Sequence, residues 1–535
     1  MSSLARTFDV LRLTLRLDRV WLVAWLVICV VFAVFFIPII PSLVTDDQMM
    51  QVLQQTMGSP AVVAMCGMIY GDSYTFGIMY TQMMFVFSAL LIALMNILLV
   101  NRHTRSDEEL GRLELISALP VGRAAPLTSI TLIVVVANVV IACAIAVIMP
   151  LFGLETIDFA GSLVFGAALG SIGLIFAALT MLFAQLTATA KGTMGFSLAM
   201  LGVCYVLRAA GDMGENAADN PLGFASPLGL GERTYPYYDN LWWPICVMVG
   251  VAAVIMIVAF ALNARRDHGV GMLPSQTGRA HAGSLMRGQF SLAVRLTRSL
   301  IIAWAVVIFI LSASYGSVFN EMDAFYTGNE LIQAMMGLTG SSENILEPII
   351  HTLVMIMSIL AVIPVGMVVN HLRSEERRGR LELIYSTATS RVLTLVSYAL
   401  IAAIAAVLFQ LLTACGMWAS QAASMSDAVP LDTFLKAAVN ALPAVLVFEG
   451  LAIFLLGIST RLSPVLWFYL AYSFYVVYVG GAFDIPEWMT LLSPFGMLSS
   501  YPAEPFDPIP WCALWAAFVA LSAAGIAAYR LRDMR

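Results

Sequence analysis

Long apolar runs alternate with short polar joints along almost the whole chain. VWLVAWLVICVVFAVFFIPII covers Val20 to Ile40, and LTSITLIVVVANVVIACAIAVIMPLF covers Leu127 to Phe152. Each exceeds the roughly 20 apolar residues that carry a helix across a bilayer core. Twelve such runs are present. Six lie near 20–40, 79–100, 127–152, 159–184, 192–210 and 242–262, and six near 299–319, 348–369, 392–420, 435–459, 464–482 and 510–529. Backbone groups in hydrocarbon must pair within their own segment, so these runs predict helices. The expected fold class is an all-α membrane protein with twelve transmembrane helices.

The polar joints repeat. RSDEELGRLELI (Arg105 to Ile116) and RSEERRGRLELI (Arg373 to Ile384) share nine of twelve residues at a spacing of 268. Arg12-Leu13-Thr14 and Arg295-Leu296-Thr297 each precede a first span, and Ala24-Trp25 recurs as Ala303-Trp304. Met57-Gly58 recurs as Met336-Gly337, and Arg123 as Arg391. Ser226-Pro227-Leu228-Gly229 recurs as Ser493-Pro494-Phe495-Gly496, with Tyr235-Pro236 and Tyr501-Pro502 following. The dodecapeptide falls between spans two and three both times, so the halves share one topology, a parallel duplication about an axis along the membrane normal. The expected layout has an interfacial amphipathic helix (1–19), a first six-helix half (20–262) and a cytoplasmic linker with a second interfacial helix (263–298). A second six-helix half (299–529) and a cytoplasmic tail (530–535) complete it. Leu4, Phe8, Leu11 and Leu15 share a helical face with Arg12, Arg16 and Arg19 beside it, the pattern of a helix lying on anionic lipid or of a plain basic flank.

Composition agrees with lipid as the main solvent: 60% of the 535 residues are hydrophobic and 11% charged. A soluble domain carries about 25% charged residues. Of 27 basic residues, 24 fall in the segments on one side: the N-terminus, both dodecapeptide loops, the linker, the tail, and the short loops of Lys191 and Arg461. The positive-inside rule places both termini and both dodecapeptides in the cytoplasm of a multi-pass protein in a bacterial plasma membrane. The first span is too long for a secretory signal and lacks a small-residue cleavage pattern. The 25 arginines against two lysines suggest a GC-rich bacterial source. Seven cysteines and five histidines show no CxxC or HExxH spacing, so neither a disulfide framework nor a metal is expected. No nucleic-acid partner is expected either.

Read as a helix, the dodecapeptide places Leu110, Leu113 and Ile116 on one face. Glu108 and Arg112 stand at i, i+4 and can pair, as can Glu376 and Arg380. Gly111 and Gly379 permit a sharp turn. A solvated loop helix capping two spans would explain one copy; two near-identical copies between diverged spans suggest two similar partner surfaces. The pattern R-x-x-E-x-x-G-R-L-E-L between spans two and three, with the S-P-[LF]-G turns, resembles the type-2 ABC exporter permeases. More narrowly, it is similar to their duplicated, single-chain polyketide and tetronasin antibiotic exporter branch. The resemblance implies an ABCG-like, type V fold, with ATP-driven export of hydrophobic or amphiphilic compounds. Arg105, Glu108, Gly111, Arg112 and Glu114, with Arg373, Glu376, Gly379, Arg380 and Glu382, would form two coupling helices docked on two copies of a P-loop ATPase. Glu109/Arg377 and Leu110/Arg378 differ between copies, so the two docks need not be equivalent.

No GxxxxGK[ST] loop occurs, so ATP and its magnesium would sit on the partner subunits and no cofactor on this chain. The rival is a proton-coupled major-facilitator drug transporter, also of twelve spans in two parallel halves. It needs an intramembrane acid, and Glu449 is the candidate, with His351 and Arg461 as conceivable partners; a charge at mid-membrane costs about 2.5–3.5 kcal/mol. No nucleophile–base constellation points to an enzyme. The resemblance implies that spans two, five, eight and eleven line the substrate path. The candidates there are Tyr80, Gln82, Met83, Phe85, His351, Met355, Phe468, Tyr472 and Tyr475, besides Glu449, since aromatics and methionine suit pliable amphiphile sites.

Overall fold

The computed structural model describes residues 3–39, 47–58, 60–71, 73–213, 217–266, 271–272, 288–327, 343–386, 389–424, 428–479 and 486–532. They form two compact units, residues 1–278 and 279–535. Met336-Gly337, most of the linker and the last three residues lie outside the described residues. Every regular element among the described residues is helical.

In the first unit, α1 (Thr7–Val34) is followed by α2 (Asp47–Met57), α3 (Pro60–Cys66) and α4 (Phe76–Asn101). After the dodecapeptide helix α5 (Arg112–Ser117) come α6 (Ala125–Ile148), α7 (Phe159–Leu186) and α8 (Ala190–Asp212). Two short helices, α9 (Pro221–Ala225) and α10 (Pro227–Glu232), then lead to α11 (Trp243–Arg265). The second unit runs α12 (Gln289–Thr327), α13 (Glu343–Arg377), α14 (Arg380–Tyr385), α15 (Arg391–Ser424), α16 (Leu431–Ile458), α17 (Pro464–Phe474), α18 (Glu487–Leu491) and α19 (Pro508–Leu531).

Eleven described helices are long and apolar enough to cross a membrane. The run expected at 464–482 is shorter as a helix: α17 ends at Phe474 and continues as a π-turn to Val479. The stretches expected as interfacial helices are continuous with the first span of each unit. No proline or glycine interrupts 7–34, so the basic stretch and the first span make one continuous α1, and α12 likewise runs through 299. Leu4 and Phe8 are exposed, while Thr7, Val10 and Asp18 face inward. Cys66 is buried at the end of α3.

Each unit has its own apolar core, centred on the most buried helices, α4 with α7 in the first and α13 with α16 in the second. Polar side chains cross-link those cores. Asn96 of α4 and Asn138 of α6 exchange amide hydrogen bonds (3.1 and 2.8 Å), and the Gln410 amide of α15 donates to the Ser358 hydroxyl of α13 (2.9 Å). Such bonds hold helices together where lipid offers no alternative partner. In the second unit α16 and α19 meet backbone to backbone: a Cβ at Gly457 would overlap the Gly525 carbonyl.

Candidate functional site

The two dodecapeptides fold into the same device. In each, the helix leaving the membrane stops at a glycine in the left-handed region, Gly111 at φ +69° and Gly379 at φ +70°. A Cβ at either would meet nothing within 4 Å, so the backbone conformation, and not crowding, selects glycine. A short helix of six residues then departs in a new direction.

This break overturns the pairing expected from continuous helical spacing. Arg112 reaches back across the glycine to Asp107 (3.0 Å), and Arg380 to Glu375 (3.0 Å). Glu108 and Glu376 turn inward instead. Glu108 pairs with Arg105 (2.6 Å) and with Arg266, just past the end of α11. Glu376 pairs with Arg532, just past the end of α19. The last helix of each unit is thus clasped to its dodecapeptide, and the clasping arginines belong to the matching Arg265-Arg266-Asp267 and Leu531-Arg532-Asp533 sequences. The periodicity-based face also changes: Leu113 and Leu381 point inward, whereas Leu110 is 60% exposed.

Arg105 is buried, its Nε donating to the Ala184 carbonyl (2.6 Å), and Arg373 is partly buried. Neither Arg105 nor Glu108 presents charge outward. What each platform does expose is Arg112, Glu114 and Leu115 in the first unit and Arg380, Glu382 and Leu383 in the second; the two leucines are 74% and 76% exposed. Each platform thus exposes one leucine next to a glutamate on a short helix braced from behind. The copies differ where their sequences do. Glu109 Oε1 accepts from the Ala190 amide at the start of α8 (2.8 Å), while Arg377 is exposed.

The protein family described as "Multidrug efflux system permease Rv1217c, C-terminal domain" matches residues 9–262 and 286–530, one stretch in each unit. Multidrug efflux system permease protein Rv1217c of Mycobacterium tuberculosis is 32% identical over 543 aligned positions, covering 100% of this chain and 96% of the relative. The chain belongs to this family of multidrug efflux system permeases. It is a multi-pass membrane permease.

In this permease the residues expected along a substrate path separate into two groups. Tyr80, Gln82 and Phe85 are buried inside the first unit. The Tyr80 hydroxyl donates to the Ala33 carbonyl, and Phe85 meets Phe165 edge-on at 5.5 Å. Gln82 accepts from the Tyr74 hydroxyl (2.7 Å) and donates to the Met57 and Gly67 carbonyls (2.8 and 3.0 Å). These bonds and contacts hold the three side chains within the unit, and Met83 packs partly buried against the same core. In the second unit, Met355 is buried and His351 Nδ1 lies 3.2 Å from the Tyr501 carbonyl. Phe468 (77% exposed) and Tyr475 (47%) stand on the open face of α17, while the Tyr472 hydroxyl donates to the Met489 carbonyl (2.9 Å).

Glu449 is buried on α16, and its Oε2 has no hydrogen-bond partner among the described residues. The expected partners are placed elsewhere, with His351 at the Tyr501 carbonyl and Arg461 exposed beyond the end of α16.

A second charged cluster was not evident from the sequence. Arg208 and Asp212 of α8, Glu232 of α10 and Arg233 are all nearly inaccessible. Asp212 lies 3.4 Å from each arginine, and Glu232 lies 3.6 Å from Arg208. Arg208 also donates to the Ala64 carbonyl of α3 (2.7 Å), and the Arg233 guanidinium stacks 4.9 Å from the Phe224 ring. Burial pushes the Glu232 carboxyl well up, against the pull of Arg208. The i, i+4 spacing of Arg208 and Asp212 was the available signal; Glu232 and Arg233 join only through the tertiary fold.

Proposed function

We propose that this permease is the membrane subunit of an ATP-driven exporter of hydrophobic or amphiphilic compounds such as antibiotics. Two copies of a separate P-loop ATPase would dock on α5 and α14 from the cytoplasm, where both termini also lie. ATP and magnesium belong to those subunits. Closure of the ATPase pair moves the two platforms, and the tandem halves alternate their access to the two sides. The observation that carries this reading is the duplicated platform: two short helices of the same sequence, each braced by an arginine following its unit's last helix, with the same Glu-Leu pair exposed. A secondary transporter has no pair of partner subunits for two such surfaces to meet.

Charge reversal at both exposed glutamates, Glu114→Lys with Glu382→Lys, is expected to abolish co-purification of the ATPase and transport-linked ATP hydrolysis. Membrane expression should be unchanged, because neither side chain braces the fold. Intact coupling in that double variant refutes the docking. The second reading, proton-coupled efflux, draws on buried Glu449 and its unpaired oxygen. A chain that purifies without an ATPase, and whose transport a protonophore stops, would favour it.

A further inference from the structure

Next to the first platform one histidine stands between two carboxylates. His103 belongs to the π-turn that follows α4. Its Nε2 meets Asp18 Oδ2 of α1, and its Nδ1 lies 3.4 Å from Asp107 Oδ2. Asp107 in turn receives Arg112 of α5 (3.0 Å). The imidazole therefore joins the first span to the platform helix through one chain of charges. Asp18, His103 and Asp107 are all largely buried, which shields that chain from water.

The neighbouring charges are engaged elsewhere. Arg102 lies 2.8 Å from the other Asp18 oxygen and stacks over Trp21. Across a small crevice from the imidazole, Glu108 is held by Arg105 and Arg266, and Arg123 donates to the Arg266 carbonyl. Among the described residues, Asp18 and Asp107 are the acids that pair with the ring.

A neutral imidazole has one N–H and one lone pair. In either tautomer it turns a lone pair toward one of these two carboxylates. Only the doubly protonated ring donates at both nitrogens and can hold both acids at once. The platform has a second attachment to the start of α1, since the amides of Gly122 and Ala124 donate to the Ala5 and Ser3 carbonyls (2.9 and 3.0 Å). That attachment is made by backbone and does not titrate.

The second unit is built differently. α12 carries no acidic residue before Glu321. His371, two residues before Arg373 as His103 is before Arg105, stacks on Tyr398 with ring centres 6.0 Å apart.

We infer that His103 is a proton-operated latch between α1 and the first platform, closed while both ring nitrogens carry a proton and released as pH rises. It is a positioning residue, acting on α5 through Asp107 and Arg112. A contact made by the charged form is full at low pH and is lost as the proton leaves. Only the first unit has an acid on its first span for such a latch to grip. The latch does not depend on which partner the platform meets or on how transport is energised.

The test is hydrogen exchange read by mass spectrometry on the full chain in detergent. Amide rates over 109–118 are corrected for the intrinsic effect of pH on exchange. Between about pH 5.5 and about pH 9, which brackets the ordinary imidazole range, the corrected wild-type rate should rise about three- to fivefold, the effect of losing one half-buried ion pair. His103→Gln should show the fast rate throughout, with no step. Asp18→Leu, which cuts the latch at α1 and leaves His103 in place, should already be fast at the acid end. The inference is overturned if wild type shows no step, if the step persists in His103→Gln, or if Asp18→Leu stays as slow as wild type at the acid end. The wild-type profile decides even if a variant fails to fold.

Discussion

Removing Arg532 tests the clasp. Among the described residues Glu376 has one arginine partner, whereas Glu108 has two, Arg105 and Arg266. The Arg532–Glu376 side chains are 14% and 8% exposed. That places them between surface pairs, at about 0–1 kcal/mol, and fully buried ones, where losing one partner costs about 3–5 kcal/mol. Arg532→Ala also loses the bond to the Leu456 carbonyl (2.8 Å) and the stack over Tyr529. A loss of about 2–3 kcal/mol in local stability follows, or about a 30- to 150-fold rise in local opening. Hydrogen exchange read by mass spectrometry reports that opening directly. Amides of 377–386 should exchange faster by that factor. In Arg266→Ala, amides of 109–118 should accelerate only about five- to tenfold, because Arg105 still holds Glu108. Equal acceleration in the two platforms, or less than about threefold in α14, would refute the clasp as the brace.

Two further outcomes are expected. Gly379→Ala keeps all contacts and strains only the backbone, at about 1 kcal/mol, so exchange in α14 should rise about fivefold, and Gly111→Ala should do the same in α5. An unchanged rate would mean the platform is not held by that turn. For Glu232, a carboxyl whose folded value stands above its unfolded one contributes stability at low pH and loses it as pH rises through the raised value. Stability of the wild type to heat should therefore weaken as pH rises above the ordinary carboxylate range, and Glu232→Gln should flatten that slope and stabilise the alkaline end. A Gln variant that loses stability at high pH would show that Glu232 acts as a paired carboxylate.

The apolar runs made the helices legible, because a bilayer-length stretch has few other ways to satisfy its backbone. They do not show one local change: α17 passes at Tyr475 into a π-turn that runs to Val479, where the sequence remains apolar and gives no warning. The repeated dodecapeptide was visible as a unit, but its internal geometry was not. A helical wheel assumes one continuous axis, and Gly111 ends that axis in mid-motif, so Leu110 and the Glu108–Arg112 pair were assigned to the wrong faces. The arginines at 266 and 532 were visible as a repeat, yet only the fold brings them to glutamates 158 and 156 residues earlier. The charge cluster around Asp212 was illegible for the same reason, since its members come from separate elements.

The clasp gives each unit a closed circuit, with its final residues fastened to a motif near its beginning. A module fastened in this way depends on nothing downstream to complete its fold. Joining two of them end to end therefore asks only for a tether, and the stretch between Arg266 and Gln289 is rich in glycine, as a tether should be. Once joined, the modules no longer share one gene copy and are free to drift apart. Glu109 opposite Arg377, and Tyr237 opposite Ala503, are what that freedom looks like. Two identical chains would have to change both platforms together; one chain that joins them can change each alone.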